Sequence, residues 1–207
     1  MKLLKLLTLC VLSVILLPSC AKIFYSPDAY KLAKKEKLIA IIPPKVSIAA
    51  SKKIDAESLK EQQKTESVNF QEEMYSWMLK RKMQGKISPE IQEIETTNAK
   101  LMKAMYPDTP LTTSEICDVL GVDGIITSNY SLSKPMSEGA AVAIGILFGA
   151  SGSTNEVHVT LGINDCPNKK LIFNYDHKFS GSLGSSPARL VDGLMRSASK
   201  KMPYVIK

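Results

Sequence analysis

Leu17-Pro18-Ser19-Cys20 is the first place in the 207-residue chain where residue type and position together imply chemistry. It closes an apolar run, Leu6 to Leu17, that follows the basic start Met1-Lys2-Leu3-Leu4-Lys5. A basic start, a short apolar run and Leu-Pro-Ser before a cysteine look like the signal of an exported bacterial lipoprotein, with Pro18 where a small residue is usual. There a diacylglycerol is joined to the thiol, the chain is cut before Cys20, and the new amine is acylated. The apolar run falls short of the roughly 20 residues that span a bilayer. Ordinary cleavage after Ala21 stands as the other reading, because Ser19-Cys20-Ala21 also offers small residues at the right spacing. Each buried methylene contributes about 0.8 kcal/mol, and one acyl chain holds only marginally, so two or three chains make a stable anchor.

Other residues with chemistry in them are fewer. Of four cysteines, Cys10 leaves with the signal and Cys20 takes the lipid. Cys117 and Cys166 remain, in a compartment that permits disulfides. Antiparallel pairing of Val122–Ser131 with Glu156–Asp165 brings the Cys166 turn near the start of the earlier strand, where the helix carrying Cys117 also ends. A disulfide between them and two buried free thiols both remain open. His158 and His177 fall on neighbouring strands. A turn pairing Asp165 with Lys170 sets them opposite each other, whereas a one-residue slip aligns the apolar residues instead and sends the histidines to opposite faces. No further ligand completes a metal set, so no metal and no cofactor is expected. Ser131-Leu-Ser-Lys134 and Ser197-Ala-Ser-Lys200 have a serine–lysine spacing without the accompanying motifs of that chemistry. Gly181-Ser-Leu-Gly-Ser-Ser186 lacks the phosphate-loop lysine and reads as a turn with Ser186 as cap, Arg189 being the residue to test for an anion. With only two histidines, the chain is expected not to be an enzyme, and no small-molecule substrate is expected.

One stretch is unlike a soluble loop. Gly139 to Ala150, inside the insert 137–153, is Gly/Ala-rich and without charge. As a helix its twelve residues would reach about 18 Å, too short to cross a bilayer core of about 30 Å. Ala141, Gly145, Gly149 and Ser153 recur every four residues, a stripe that permits close helix approach. Val142, Ile146, Leu147 and Phe148 would protrude. Ala141, Gly145, Ile146, Phe148 and Gly149 are therefore the candidate interaction residues. Packing on the rest of the domain, association with a second copy or a partner, and shallow insertion into a membrane face are the three readings.

The elements that would position these residues follow from periodicity. Ala21 to Glu36 has no period and reads as a tether, 20–36. Leu38-Ile-Ala-Ile-Ile before Pro43-Pro44 is a continuous apolar run, the pattern of a strand buried on both faces. Ser51 to Glu66 is polar and reads as an exposed loop. Phe70, Met74, Trp77, Met78 and Arg81 mark one face of a helix ending at Gly85, with Trp77 as a core residue. Ile87 to Glu95 fits strand or helix equally, and Thr97 to Tyr106 reads as helix. Thr112-Thr-Ser-Glu115 is a capping box for a short helix stopped by Gly121. Val122 to Tyr130 reads as a strand. Val157, Val159, Leu161 and Ile163 alternate with polar residues, and Leu171, Phe173, Tyr175 and Phe179 do so on the return. Pro187 opens a last helix with Leu190, Val191, Leu194, Met195 and Ala198 as its stripe. A three-stranded antiparallel meander with packed helices is the economical fold.

The formal charge of the chain is +7, and without Lys2 and Lys5 it is +5. Lys31, Lys34, Lys35 and Lys37 follow the anchor closely and read as a solvated linker that tolerates anionic headgroups. No basic–aromatic motif points to nucleic acid.

Taken together, Leu38-Ile-Ala-Ile-Ile before its prolines, Leu120-Gly-Val-Asp-Gly-Ile-Ile126, Thr160-Leu-Gly-Ile-Asn-Asp165, a Leu-Ile-Phe strand and a closing helix resemble the CsgG-like lipoprotein fold. That group includes the curli-secretion lipoprotein and small Gram-negative envelope lipoproteins. The resemblance covers roughly 37–204 and its motifs are structural. It implies an α/β, single-domain sandwich, mainly antiparallel sheet with packed helices, over 37–207 behind a signal at 1–19. It also implies outer-membrane attachment facing the periplasm, and no catalytic residue. The pore of that group needs barrel strands of about nine to eleven alternating residues, and Ala141 to Phe148 does not alternate. The expectation is thus a non-enzymatic scaffolding or assembly lipoprotein acting through the apolar insert. A regulator binding a periplasmic cell-wall enzyme, or a subunit of a secretion apparatus, is the alternative.

Overall fold

The computed structural model describes residues 21–48, 55–133, 155–181 and 187–206. Three long strands, β5 (Gly124–Ser133), β6 (Asn155–Asp165) and β7 (Lys170–Gly181), form the expected antiparallel meander. Around it a seven-stranded, mainly antiparallel sheet is completed by β1 (Lys22–Tyr25), β2 (Leu38–Ile41), β3 (Lys45–Ile48) and β4 (Glu90–Ile91). β2 and β3 both lie parallel to β5, one after the other. From Ile41 to Lys45 the chain advances four residues while β5 advances only three, Ile126 to Asn129. The extra residue falls at Pro43-Pro44, which lack the N–H groups a continuous ladder needs.

Among the described residues five helices pack on this sheet: α1 (Ala29–Ala33), α2 (Ala56–Met83), α3 (Ile94–Lys103), α4 (Thr113–Leu120) and α5 (Pro187–Ala198). α1, α2 and α5 cover one face. Leu32, Phe70, Met74, Met78, Leu194 and Met195 meet Ile126, Tyr130, Val159, Leu161 and Phe173 there, and the Phe70 and Tyr130 rings stack at 4.1 Å. α3 and α4 cover only the start of β2 and β5 on the other face, with Leu101, Ile116 and Leu120 against Ala40, Ile42 and Ile125. β2 is therefore enclosed on both sides, as its unbroken apolar sequence requires.

Three segments depart from the periodicity reading. The expected tether carries β1, paired with β7, and α1, whose Ala29, Leu32 and Ala33 are buried. The expected loop at Ser51–Glu66 instead lies mostly in α2, whose 28 residues begin behind an Asp55 cap accepting from Ser58 N at 2.9 Å. Ala56, Leu59, Glu61, Gln62, Gln63 and Lys64 are strong helix formers. They show no stripe because the first turns of α2 bury almost nothing, so period-seeking is blind to them. The stretch Ile87–Glu95 divides into a bridge from Ile87 to Val205, the two residues of β4 and the start of α3. Trp77 sits at the rim of the core, half-buried, donating to Asp192 Oδ1 at 3.3 Å with the Arg81 guanidinium 5.2 Å from its ring.

The capping box forms in full: Thr112 Oγ1 accepts from Glu115 N, and the Glu115 carboxylate accepts from Thr112 N. Gly121 closes α4 in the left-handed region at φ 63°, where a Cβ would be strained. Thr112→Ala removes the cap and is expected to lower unfolding free energy by about 1 kcal/mol. A urea midpoint shift at unchanged m-value reads it.

Candidate functional site

Register divides the sheet into two ends with different chemistry. Lys22 lies opposite Asp176, which faces Thr160, which faces Asn129. β5 runs on from there to Ser133 and β6 starts at Asn155, so the chain flanking residues 134–154 leaves and re-enters at the end where β1 begins. At the other end Gly124 pairs with Asp165 and Lys170 closes the β6–β7 turn. α1, the end of α4 and the C-terminal segment gather there: Ser26 N reaches Ile172 O, Lys37 N reaches Asp123 Oδ2, and the Tyr25 hydroxyl donates to Lys201 O at 2.6 Å.

This second end is knotted covalently and by polar contacts. Cys117 on α4 and Cys166 in the β6–β7 turn are joined, with Cα atoms 5.5 Å apart and 49 residues between them in sequence. Cys166 N also donates to Asp123 O at 2.9 Å. Beside the bond lies a cluster that periodicity did not find. Glu36 is buried, only 4 % exposed, and accepts a 2.5 Å hydrogen bond from the Tyr204 hydroxyl. Asp165 is equally buried, accepts from Asn168 N and Nδ2, and lies beside Glu36. Asp123 Oδ2 accepts from the amides of Lys37 and Leu38. Burial is the main force pushing the Glu36 carboxyl up to about 8; the Tyr204 hydrogen bond opposes it, and the charges of Asp165 and Asp123 add to it. Tyr204 is held well above its ordinary value, by burial first and by Glu36 next. A Cβ on Gly124 would sit 1.9 Å from Glu36 Oε2, so the carboxyl occupies the space that only glycine leaves. The sequence gives one weak hint, a glutamate next to the apolar β2 run, and a charge before a buried strand is too common to single out.

The opposite face of β1, β7, β6, β5 and β3 is polar, and among the described residues no helix covers it. Rows set by register carry Lys22, Asp176, Thr160, Asn129 and Lys45, then Phe24, Asn174, Gly162 and Thr127. His158 Nε2 and Asp176 Oδ1 lie 2.9 Å apart on it. His177 pairs with Val159 on the inner face. Both expected registers occur in one hairpin. Asp165 pairs with Lys170 and Asn164 with Leu171, then Ile163 pairs with Phe173, so Ile172 is an extra residue and the slip is made by a β-bulge. The histidines therefore face apart. Among the described residues no three His, Cys, Asp or Glu side chains are grouped to hold a metal.

Cys20 and the interaction candidates Ala141, Gly145, Ile146, Phe148 and Gly149 lie outside the described residues, as do Lys134 and Gly181–Ser186 beyond Gly181 itself. Arg189 is exposed on the first turn of α5. No described helix is long and apolar enough to cross a membrane.

No protein-family model matches the chain, and no curated protein does. Solved structures do, and bacterial lipoproteins are among them. Lipoprotein GNA1162 from Neisseria meningitidis matches at 9% identity and a TM-score of 0.45, covering 80% of this chain and 96% of that one. The PelC dodecamer from Paraburkholderia phytofirmans matches at 10% and 0.40, covering 91% and 98%. The LpoB C-terminal domain from Salmonella enterica matches at 9% and 0.36, covering 70% and 83%. At such identity and overlap, neither a partner nor an activity passes from one chain to the other.

Proposed function

We propose that this chain is a non-enzymatic envelope lipoprotein, held to a membrane by acyl chains on Cys20 and acting as an assembly or scaffolding component through the apolar run 137–153. The observation that carries the reading is the shared end of the sheet. β1 begins at Lys22, two residues after Cys20, a reach of about 7 Å in extended chain. β5 runs four residues past the level of Lys22, from Asn129 to Ser133, or about 13 Å at strand rise. An anchor at Cys20 and an insert leaving from Ser133 are then offered to the same bilayer surface. Pairing of β1 with β7 leaves little slack between lipid and domain, so the anchor orients the sheet as well as holding it.

The insert on this reading meets other molecules at or near the lipid surface, with Ala141, Gly145, Ile146, Phe148 and Gly149 as the residues proposed to make the contact. Outer-membrane attachment facing the periplasm is the location that fits. Cys20→Ser is expected to release the protein from membranes in a carbonate wash. Retention of that variant would overturn the anchor. A photo-crosslinker at Ile146 is expected to give crosslinks to a second copy. A single foreign protein instead would favour the regulator alternative, and conductance from purified oligomers the secretion subunit.

A further inference from the structure

Lys31, Lys34, Lys35 and Lys37 follow the anchor closely in sequence, and that proximity suggests lipid headgroups as their partners. The fold separates them from it. β1 runs away from Cys20, so α1 and the start of β2 lie at the far end of the sheet, beside the β6–β7 turn and the C-terminal segment. Lys22 lies level with Asn129, five residues along β5 from Gly124, about 17 Å. Cys20 is two residues further off, so the separation is at least twice the roughly 8 Å over which charges are felt at physiological salt. Lys169 in the turn and Lys201 beside Tyr25 join the four there, and all six are exposed. None of them takes part in an ion pair among the described residues. Most carboxylates of this end are taken up within the fold: Asp28 on Lys170, Asp123 on two backbone amides, Glu36 and Asp165 in the buried knot, and Glu90 on Lys82, which leaves Asp118 exposed beside Cys117.

We propose that this cationic end docks an extended, carboxylate-bearing polysaccharide, presented to it on the side away from the anchor. No arginine is in the set. Lysines are point charges without the planar fork that fits one fixed carboxylate or phosphate. Spread over a short helix, a turn and a chain end, they match charge repeated along a flexible polyanion better than one shaped headgroup. Only the orientation rests on the Cys20 reading; docking itself is a property of the unlipidated chain.

The test uses the full mature chain with Cys20→Ser and polygalacturonate as probe, by calorimetry. Affinity is expected to fall at least about tenfold between about 50 and about 200 mM salt, as counterion release requires. Lys31→Gln/Lys34→Gln/Lys35→Gln/Lys37→Gln is expected to lose at least about tenfold at the lower salt, and Lys169→Gln/Lys201→Gln about threefold. Lys60→Gln/Lys64→Gln, on the exposed start of α2, is expected to stay within about twofold, as its distance from the surface requires. Unchanged melting curves show that the variants fold. No binding at the lower salt overturns the proposal, as does equal loss in the α2 control. Tighter binding to phosphatidylglycerol-containing vesicles than to the polysaccharide also overturns it, assigning the surface to lipid. Binding that survives Cys20→Ser while membrane attachment is unaffected by that change would sink the anchor and leave the docking intact.

Discussion

Reducing the Cys117–Cys166 bond is expected to lower the unfolding free energy by about 4 kcal/mol. The bond closes 49 residues, including β5 and β6 whole. In the chain-entropy account a loop of that length removes that much freedom from the unfolded ensemble. The folded side argues the same way. Cys117 is buried in the smaller core of Leu101, Ile116, Leu120 and Val122, with Cys166 packed against it. That core covers only the start of β2 and β5, and α4 has eight residues with few other ties to the meander. Denaturant curves with and without dithiothreitol read the difference. Double replacement by alanine should reproduce the reduced midpoint without further change on reduction. Equal midpoints in both conditions would show the bond to contribute nothing. A loss confined to α3 and α4, seen by amide exchange, is expected below the global midpoint, because the larger core on the other face keeps Phe70, Met74 and Tyr130 in contact without it.

Much of this architecture was legible where one physical cause dominates a segment. Thr112, Glu115 and Gly121 are read locally, because caps concern only neighbouring residues. Val157 to Ile163 is read from alternation, because one face of the meander is buried and the other open. Even the conflict over register came from real constraints, since the turn chemistry and the apolar pattern differ by one residue and Ile172 absorbs it. Failures lie where burial is partial or cooperative. β1 alternates over only four residues and is held by pairing with β7, and α1 is a five-residue helix that owes its form to packing. The start of α2 buries too little to leave a stripe. Glu36 and the lysine end depend on which distant residues meet, and no spacing in the sequence carries that. Segment order alone put the lysines beside the anchor; the direction of β1 puts them at the opposite end. The Cys20 signal and the apolar insert are legible in the sequence because each is set by local composition.

Stability of the wild type is expected to fall from about pH 5 to about pH 9, and Glu36→Gln to remove most of that slope. In the unfolded chain the Glu36 carboxyl titrates near its ordinary 4.5, and in the fold near about 8. Between those values the folded state binds the proton and the unfolded state has released it, so every rise in pH favours unfolding. The contribution is fully present below the unfolded value and is lost as pH passes the folded one. Its size is about 2–4 kcal/mol, taken conservatively from a shift of this magnitude. Geometry explains why a glutamine fits. Its carbonyl oxygen can accept from the Tyr204 hydroxyl as Oε2 does, and its amide takes the place of Oε1, which has no hydrogen-bond partner among the described residues. Glu36→Gln should therefore match the wild type near pH 5 and exceed it at pH 9. Asp165→Asn removes a charge that holds the carboxyl up, and should shift the pH midpoint down. Tyr204→Phe removes the bond that holds it down, and should shift the midpoint up. Urea midpoints across that pH range, for the four proteins, read all three effects. A wild-type profile as flat as that of Glu36→Gln would show the carboxyl to be ionised in the fold, and the Tyr204 bond would then be one between a hydroxyl and a buried charge. Ionisation at high pH puts a third charge beside Asp165 and Asp123, where Tyr204 ties the C-terminal segment to Glu36 ahead of β2 and Ser88 N ties it to the chain ahead of β4 through Tyr204 O. That segment is therefore the first part expected to lose amide protection as the pH rises.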